Sequence, residues 1–430
     1  MADMLEPPVR YPKDNGSKKS GGRLNRRQKK STVENDSNII KPEKSFKGLR
    51  KSDLFVTGSF DIPFFGLTMV ILAVGLVMLF SSSYAYSYYK YDNSYHYFFR
   101  QLIFAVIGIA FMFFLSKLNY RWFKALAPYL FGITVFLLVL VLFYHTNVST
   151  DEGEAFKRYI KIPGLGITFQ PSDIAKFTLI TTLATYISKN AGKMNRVKEG
   201  FLFPGLIVAL YCGLILLENH MSGTILVFVI GMAVMFAGGS NKKIFAVGVA
   251  IVVAGILIVL MFPDALPQYV QQKLVAWRDK DFEPLGARWQ TNNSLYAIGS
   301  GGLFGVGLGN SKQKYLYVSE PQNDFIFSIV CEELGFIGAV VIIVLFALLV
   351  VRGIIIALRC EDKFASLTVI GIVTQIGVQV AFNILVVTDS IPNTGIALPF
   401  FSYGGTALVM LLCEMGVVLG ISRKSNQKKV

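Results

Sequence analysis

The chain has 430 residues, 53% of them hydrophobic and 16% charged, with a formal net charge of +15 and a mean hydropathy of +0.52. Its apolar residues come in long, nearly charge-free runs, which excludes an ordinary soluble domain and reads as an all-α polytopic membrane protein. The basic excess gathers in the first ~50 residues and in short loops, which points to cytoplasmic segments held near anionic lipid and not to nucleic acid.

Residues 1–55 are rich in Lys, Arg, Asn, Ser and Gly, too polar to bury a core, and read as a disordered basic cytoplasmic tail. The first apolar run starts near Ile62 without a small-residue cleavage pattern and reads as a retained signal anchor. Apolar runs follow at roughly 62–84, 99–117, 125–145, 172–190, 201–217, 222–239, 243–262, 324–351, 364–387 and 396–421, giving about ten helices by the length rule. With the N-terminus inside, each inside segment is basic: Lys117 to Lys124, Lys189 to Lys198, Lys242–Lys243, Arg352 to Lys363 and the tail after Arg423. The positive-inside rule therefore sets both termini in the cytoplasm. The transmembrane domain runs over 56–423, with a large extracellular loop at 263–323 between the seventh and eighth helices and a basic tail at 424–430.

That loop is the most informative stretch. Asp279, Asp281 and Glu283 sit close together, flanked by Arg278, Lys280 and Arg288, and a glycine-dense segment follows from Gly299 to Gly309. Acids in an exposed loop are most often solvated surface; acids and bases in one loop beside a bilayer are also what a reaction centre needs. The glycines lack the Lys-Ser/Thr of a phosphate loop, so tight turns and close backbone approach explain them better. Lys176 lies a turn into the fourth helix, where a charge costs about 2.5–3.5 kcal/mol at the bilayer centre and less near the interface. It either pairs with Asp173 at i−3 or faces a polar cavity. Of Glu332 and Glu333 in the eighth helix, one at least must face the bundle interior with a partner. Pro399 and Gly404-Gly405 should break or bend the last helix. The cysteines (Cys212, Cys331, Cys360, Cys413) and histidines (His96, His145, His220) fall in no disulfide or metal-ligand spacing.

Four clusters occur in order. They are Lys157-Arg158-Tyr159-Ile160 with Phe169-Gln170-Pro171-Ser172-Asp173-Ile174-Ala175-Lys176; Trp289-Gln290 and Asn293-Ser294-Leu295 with Gly299-Ser300-Gly301-Gly302; Pro321 and Asp324-Phe325-Ile326-Phe327 with Glu332-Glu333-Leu334-Gly335; and Pro392-Asn393-Thr394-Gly395 with Leu398-Pro399-Phe400-Phe401-Ser402-Tyr403-Gly404-Gly405-Thr406. Together they resemble the SEDS family (shape, elongation, division and sporulation) over about residues 60 to 423. Gly75-Leu76-Val77-Met78 and Phe99-Arg100-Gln101 are more similar to its FtsW and SpoVE types than to RodA.

The resemblance implies a peptidoglycan glycosyltransferase in the bacterial cytoplasmic membrane. It would polymerise lipid II at the outer face, in cell division or sporulation, alongside a class B penicillin-binding protein and other division proteins. The family pattern has an essential Asp-Pro just before Gly-x-x-Tyr-Gln. Here Glu283-Pro284 precedes Gly286-Ala287-Arg288-Trp289-Gln290, so Glu283 is the expected general base, one methylene longer, with Asp281 and Asp279 as alternates. Lys157, Arg158, Gln170, Lys176, Arg288, Gln290, Asp324 and Ser402 are the implied substrate-binding residues. The reaction inverts the anomeric centre and needs one base; cations beside the pyrophosphate, Arg278 also a candidate, stabilise its departure. No protein metal site is expected, although a divalent cation (Mg or Mn) carried on pyrophosphate oxygens fits the chemistry. Glu218-Asn219-His220-Met221-Ser222-Gly223-Thr224 departs from the family's Pro-Asp-Leu-Gly-Thr-like run and receives no catalytic role. A flippase of the lipid-linked precursor and a non-catalytic division scaffold are the rival readings. The first would place its essential charges near the midplane; the Asp-to-Glu departure is what favours the second.

Overall fold

Inside a bilayer no water satisfies the backbone, so spanning segments close their hydrogen bonds within helices. The structure is a computed structural model that describes residues 54–144, 148–149, 155–156, 158–162, 167–261, 268–283, 286 and 288–426. Apart from residues 54 and 55, the expected disordered tail lies outside them, as does Lys157. The helices are α1 (Ile62–Tyr91), α2 (His96–Lys117), α3 (Arg121–Phe143), α4 (Pro171–Lys189), α5 (Phe203–Leu217), α6 (Met221–Ala237), α7 (Lys242–Met261), α8 (Gln268–Arg278), α9 (Trp289–Gly301), α10 (Ile326–Arg359), α11 (Lys363–Val387) and α12 (Gly405–Asn426). Among the described residues seven are long and apolar enough to cross a membrane: α1, α2, α3, α5 with the turn before it, α10, α11 and α12. The other three apolar runs fold as α4, α6 and α7. Between α3 and α4, short antiparallel pairs form: β1 (Val148–Ser149) with β2 (Ala155–Phe156), and β3 (Ile160–Ile162) with β4 (Ile167–Phe169), Lys161 opposite Thr168.

Two hydrogen-bonded belts fix the bundle's ends. At one end Asp61 caps α1 by accepting from Phe64 N at 3.0 Å, and its carboxylate accepts two bonds from Arg352 of α10 at 2.9 and 2.8 Å. The Asp61 amide also donates to Ser422 Oγ of α12 at 3.0 Å. Asp61, 4% exposed, thereby ties three helices through its carboxylate and its amide. At the opposite end, which the charge pattern assigns to the outside, Asn383 of α11 donates to Asp324 O at 2.6 Å and Gln101 of α2 donates to Ser402 O at 3.3 Å.

The last apolar run is not helical from residue 396, as its length suggests, but only from Gly405. Pro399 has no N–H to give a helix, and Phe400 stands at φ 66°. Residues 398–403 bond elsewhere instead. Ser402 Oγ accepts from Leu398 N and donates to Asn323 O, both at 2.8 Å, and Tyr403 N donates to Gln322 O at 2.8 Å.

The stretch between α7 and α10 is a built structure that contains α8 and α9. After α9 the glycine segment turns back against α10, which is broken at Gly335 (φ 67°, ψ −172°). Val306 N and Gly307 N donate to the carbonyls of Glu332 and Glu333 at 2.9 and 3.1 Å, while Phe336 N and Ile337 N donate to Gly302 O and Leu303 O at 2.9 and 3.2 Å. Each broken segment satisfies the other. A Cβ at Gly335 would overlap Gly305 N, and one at Gly305 would overlap Glu333 O. Glu333 is buried and paired with Lys314 Nζ at 3.0 Å, with Ser81 Oγ of α1 donating at 2.7 Å. Glu332 accepts from Lys312 N at 2.9 Å and from Ser311 Oγ. Both acids of α10 thus hold the 311–314 turn.

Arg288 ties the other side of the stretch. Its side chain is 3% exposed and pairs with Asp389, after α11, at 2.7 Å. It also donates to Ala276 O of α8, and Trp277 Nε1 donates to Asp389 O at 3.1 Å.

An alanine at Gly335 should cost about 1–3 kcal/mol for backbone conformation alone, with more for the displaced strand. Thermal melting in detergent should show the loss. Gly132→Ala on α3, where a Cβ meets nothing within 4 Å, should melt at or above the parent temperature. Arg288→Met strands the Asp389 carboxylate and should cost about 3–5 kcal/mol, and the R288M/D389L double variant should lose less than the summed single losses.

Candidate active site

The site forms where α4 begins. Pro171 occupies the first turn, where its missing N–H costs nothing, and Asp173 places negative charge at the helix N-terminus. Lys176 reaches back to Asp173 Oδ1 at 2.9 Å, with the two side chains 14% and 10% exposed. Both also line a cavity of about 60 Å³, otherwise largely apolar, whose polar side chains include Gln375 and Gln379 of α11, Ser402, and Glu414 of α12. The two roles considered for Lys176 therefore coincide in one side chain. Glu414 is 1% exposed and accepts from Gln375 Nε2 at 2.9 Å. It lies nine residues beyond the start of α12, about 13 Å along the axis, so the cavity carries polar groups deep into the bundle.

At the outer rim of the cluster Gln170 Nε2 lies 3.3 Å from His220 Nδ1. The amide nitrogen donates and the ring nitrogen accepts, which leaves the imidazole proton on Nε2. Burial, followed by the charges of Arg158 and Lys176, pushes the His220 pKa down, so the ring is neutral at physiological pH. Arg158 stands over the Tyr159 ring at 5.7 Å. The Tyr159 phenol is pushed up by burial, and the charges of Arg158, Asp173 and Asp324 all reach it. Arg158, Gln170 with Lys176 at the start of α4, and Asp324 before α10 thus converge from three separate parts of the chain.

Other expected site residues lie elsewhere. Arg288 was expected on the substrate; its guanidinium is committed to Asp389 and to backbone. Gln290 Nε2 donates to Ser319 O at 2.7 Å, a contact within the stretch between α7 and α10. Ser402 lines the cavity, but its hydroxyl is engaged with Leu398 N and Asn323 O. Glu283, Asp281 and Asp279 sit on an exposed turn after α8. Among the described residues the Glu283 carboxylate has neither an ion-pair nor a hydrogen-bond partner, and it does not touch the Asp173–Lys176 pair. Glu283 itself stands at φ 39°, a conformation that costs a non-glycine residue about 1–3 kcal/mol unless its surroundings impose it. Gly286 N and Arg288 N impose it here by donating to Glu283 O at 2.9 and 3.3 Å. The buried Arg288–Asp389 pair therefore anchors the turn that displays Glu283. Gly286 leaves the carboxylate room, since a Cβ there would come within 3.1 Å of Glu283 Oε2.

Sequence reasoning missed Glu414 and Gln375, and it gave the run that holds Glu218 and His220 no role. A lone acid inside an apolar run was the available signal for Glu414. For Glu218 and His220 the signal was the departure of their run from the family pattern, but a helix-to-helix turn reads as solvated until its burial is seen.

The family model described as a cell cycle protein, covering FtsW, RodA and SpoVE, matches residues 62–427. The stage V sporulation protein E of Bacillus subtilis (strain 168) is 38% identical over 362 residues, which is 84% of this chain and 96% of that protein. A probable peptidoglycan glycosyltransferase FtsW of Geobacter sp. (strain M18) is 34% identical over 365 residues, covering 85% of this chain and 97% of that one. Among solved structures, a chain of a peptidoglycan synthase complex that coordinates polymerization and crosslinking superposes with a TM-score of 0.69 at 27% identity, covering 86% of this chain and 99% of that chain. The rod shape determining protein RodA of Thermus thermophilus superposes at 0.60 and 27% identity, with 85% and 97% covered. With its helical bundle, the cluster at the start of α4 and a family match over most of its length, this chain is a multi-pass cytoplasmic membrane protein of the FtsW/RodA/SpoVE family.

Proposed function

We propose that the chain is a peptidoglycan glycosyltransferase that polymerises lipid II at the outer face of the cytoplasmic membrane, in division or sporulation, with Glu283 as general base. The observation that carries this reading is the convergence of Arg158, Lys176, Asp173 and Gln170 at the outer start of α4, on a chain whose relatives are named peptidoglycan glycosyltransferases. The 4-hydroxyl of one saccharide attacks the anomeric carbon of another. Its proton passes to the Glu283 carboxylate as the new C–O bond forms. The bond from the anomeric carbon to the pyrophosphate oxygen breaks with inversion, and the departing charge is met by the Arg158 and Lys176 cations. Lys157 is proposed beside Arg158 for the same task, with Gln170 and Asp324 as hydrogen-bonding groups for the saccharide.

Glu283 suits the base role because it is exposed and has no partner among the described residues, so its lone pairs are available to a hydroxyl. Asp279 Oδ1 accepts from Asp281 N at 3.0 Å, which shapes the neighbouring turn. Arg288 and Ser402 act as positioning residues, and Gln290 belongs to the support of the stretch. Among the described residues no three His, Cys, Asp or Glu side chains come together as a metal site. A divalent cation such as Mg or Mn would be held by the pyrophosphate oxygens together with a carboxylate. A class B penicillin-binding protein is the proposed partner that cross-links the product.

Purified protein with its penicillin-binding partner, given labelled lipid II, should form glycan polymer. Glu283→Gln should lower the rate by about 10²–10⁴ while melting at the parent temperature. Asp279→Asn and Asp281→Asn should polymerise near the parent rate. Full activity in the Glu283→Gln protein would move the base to an aspartate neighbour, and lipid II crossing vesicles without polymer would make the chain a flippase. Lys176→Met should also abolish polymer, with a loss in kcat exceeding any rise in KM, because its cation is needed most when the pyrophosphate departs.

A further inference from the structure

Among the described residues the buried acids are Asp61, Asp173, Glu218, Glu332, Glu333 and Glu414. Five of them are satisfied: Asp61 by Arg352, Asp173 by Lys176, Glu332 by backbone amides, Glu333 by Lys314 and Glu414 by Gln375. Glu218 is the exception. It is 0% exposed, and among the described residues neither carboxylate oxygen has a hydrogen-bond partner. An isolated buried carboxylate is costly enough that it changes its protonation instead. Burial raises Glu218 to about 8, and the Arg158 charge works in the opposite direction.

Its location gives this a use. Glu218 caps the end of α5 and His220 precedes α6, two residues apart at the rim of the site. Arg158 is the charged group that acts on Glu218. His220 faces Arg158 and Lys176 and bonds to Gln170; Asp173 is held by Lys176. α3, which also packs on α5, carries its charges, Arg121 and Lys124, at its other end.

We propose that Glu218 is a positioning residue that gates anion binding at Arg158: protonated, it leaves the guanidinium to the substrate's pyrophosphate diester, and ionised, it competes with that anion for the same cation. This rests on the reading that a pyrophosphate-linked saccharide binds here. The sign follows from linkage. A bound anion disfavours a second negative charge beside Arg158, so binding draws a proton onto Glu218. Affinity must then fall as pH rises through the free carboxyl's titration, by up to about tenfold per pH unit, the limit for one proton. A pyrophosphate diester keeps its own charge across this range. Burial pushes the His220 pKa down, so that ring does not add a second charge change.

The test is equilibrium binding of fluorescent lipid II to the full-length protein between pH 6.5 and 9.5. The parent should bind more weakly above pH 8. Glu218→Gln should bind with a flat profile and keep the parent's low-pH affinity, Glu218→Asp should restore the pH dependence, and His220→Gln should keep it. An identical fall in the parent and Glu218→Gln proteins, or no fall in the parent, overturns the proposal while leaving the polymerase reading intact. Failure of the parent to bind or polymerise lipid II at every pH overturns both.

Discussion

A helix that breaks inside a bilayer must find partners for the backbone groups it releases. In this protein the break is at Gly335, and the partners come from residues 302–307 of the preceding glycine segment. That exchange fixes more than its own neighbourhood. It brings Glu332 and Glu333 to the 311–314 turn, draws Lys314 into contact with α1 through Ser81, and so fastens the whole α8–α9 stretch to the bundle. The side chain at Gly335 is absent because another backbone occupies its place. Glycine here serves the close approach of two segments of one backbone.

A second constraint follows from the first. Once the stretch is pinned, its charges are held near apolar surroundings and need partners of their own. Arg288 is satisfied by Asp389 and the Ala276 carbonyl, and its amide then supports the unusual backbone of Glu283. A buried ion pair is weak evidence for stability, but it is effective at setting register. Here it connects the end of α11 to the turn that displays the proposed base. Asp61, Arg352 and Ser422 perform a similar service at the other end of the bundle. Between those belts lies the cavity of Asp173, Lys176, Gln375 and Glu414, reached from the side where Ser402 and Tyr403 replace helix with irregular chain. Glu218 departs from this pattern of satisfied acids and sits where an anion would compete with it, which is why its lack of a partner reads as function and not as a defect of packing.

Local chemistry carried a good part of this in the sequence. Run lengths of apolar residues located the helices, because a bilayer sets a minimum span. Basic loops marked alternate ends. Pro171 and Asp173 announced the start of α4, since each is favourable at a helix N-terminus. Pro399 announced irregular chain, though not that nine residues from 396 to 404 would be non-helical before Gly405 opens α12. Lys176 was legible as a charge that needed an explanation; that it both pairs and lines a cavity depended on α11 and α12, far along the chain.

The sequence by itself determined the class of the molecule, the places of its helices and the family to which it belongs, because spans, caps and motif order are properties of neighbouring residues. Only the tertiary structure decided which charges meet. Arg288 stands 101 residues from Asp389 and Asp61 stands 291 residues from Arg352, and no periodicity links such pairs. Whether a buried charge serves structure or substrate depends on which groups surround it in space, and that is settled only when the helices pack.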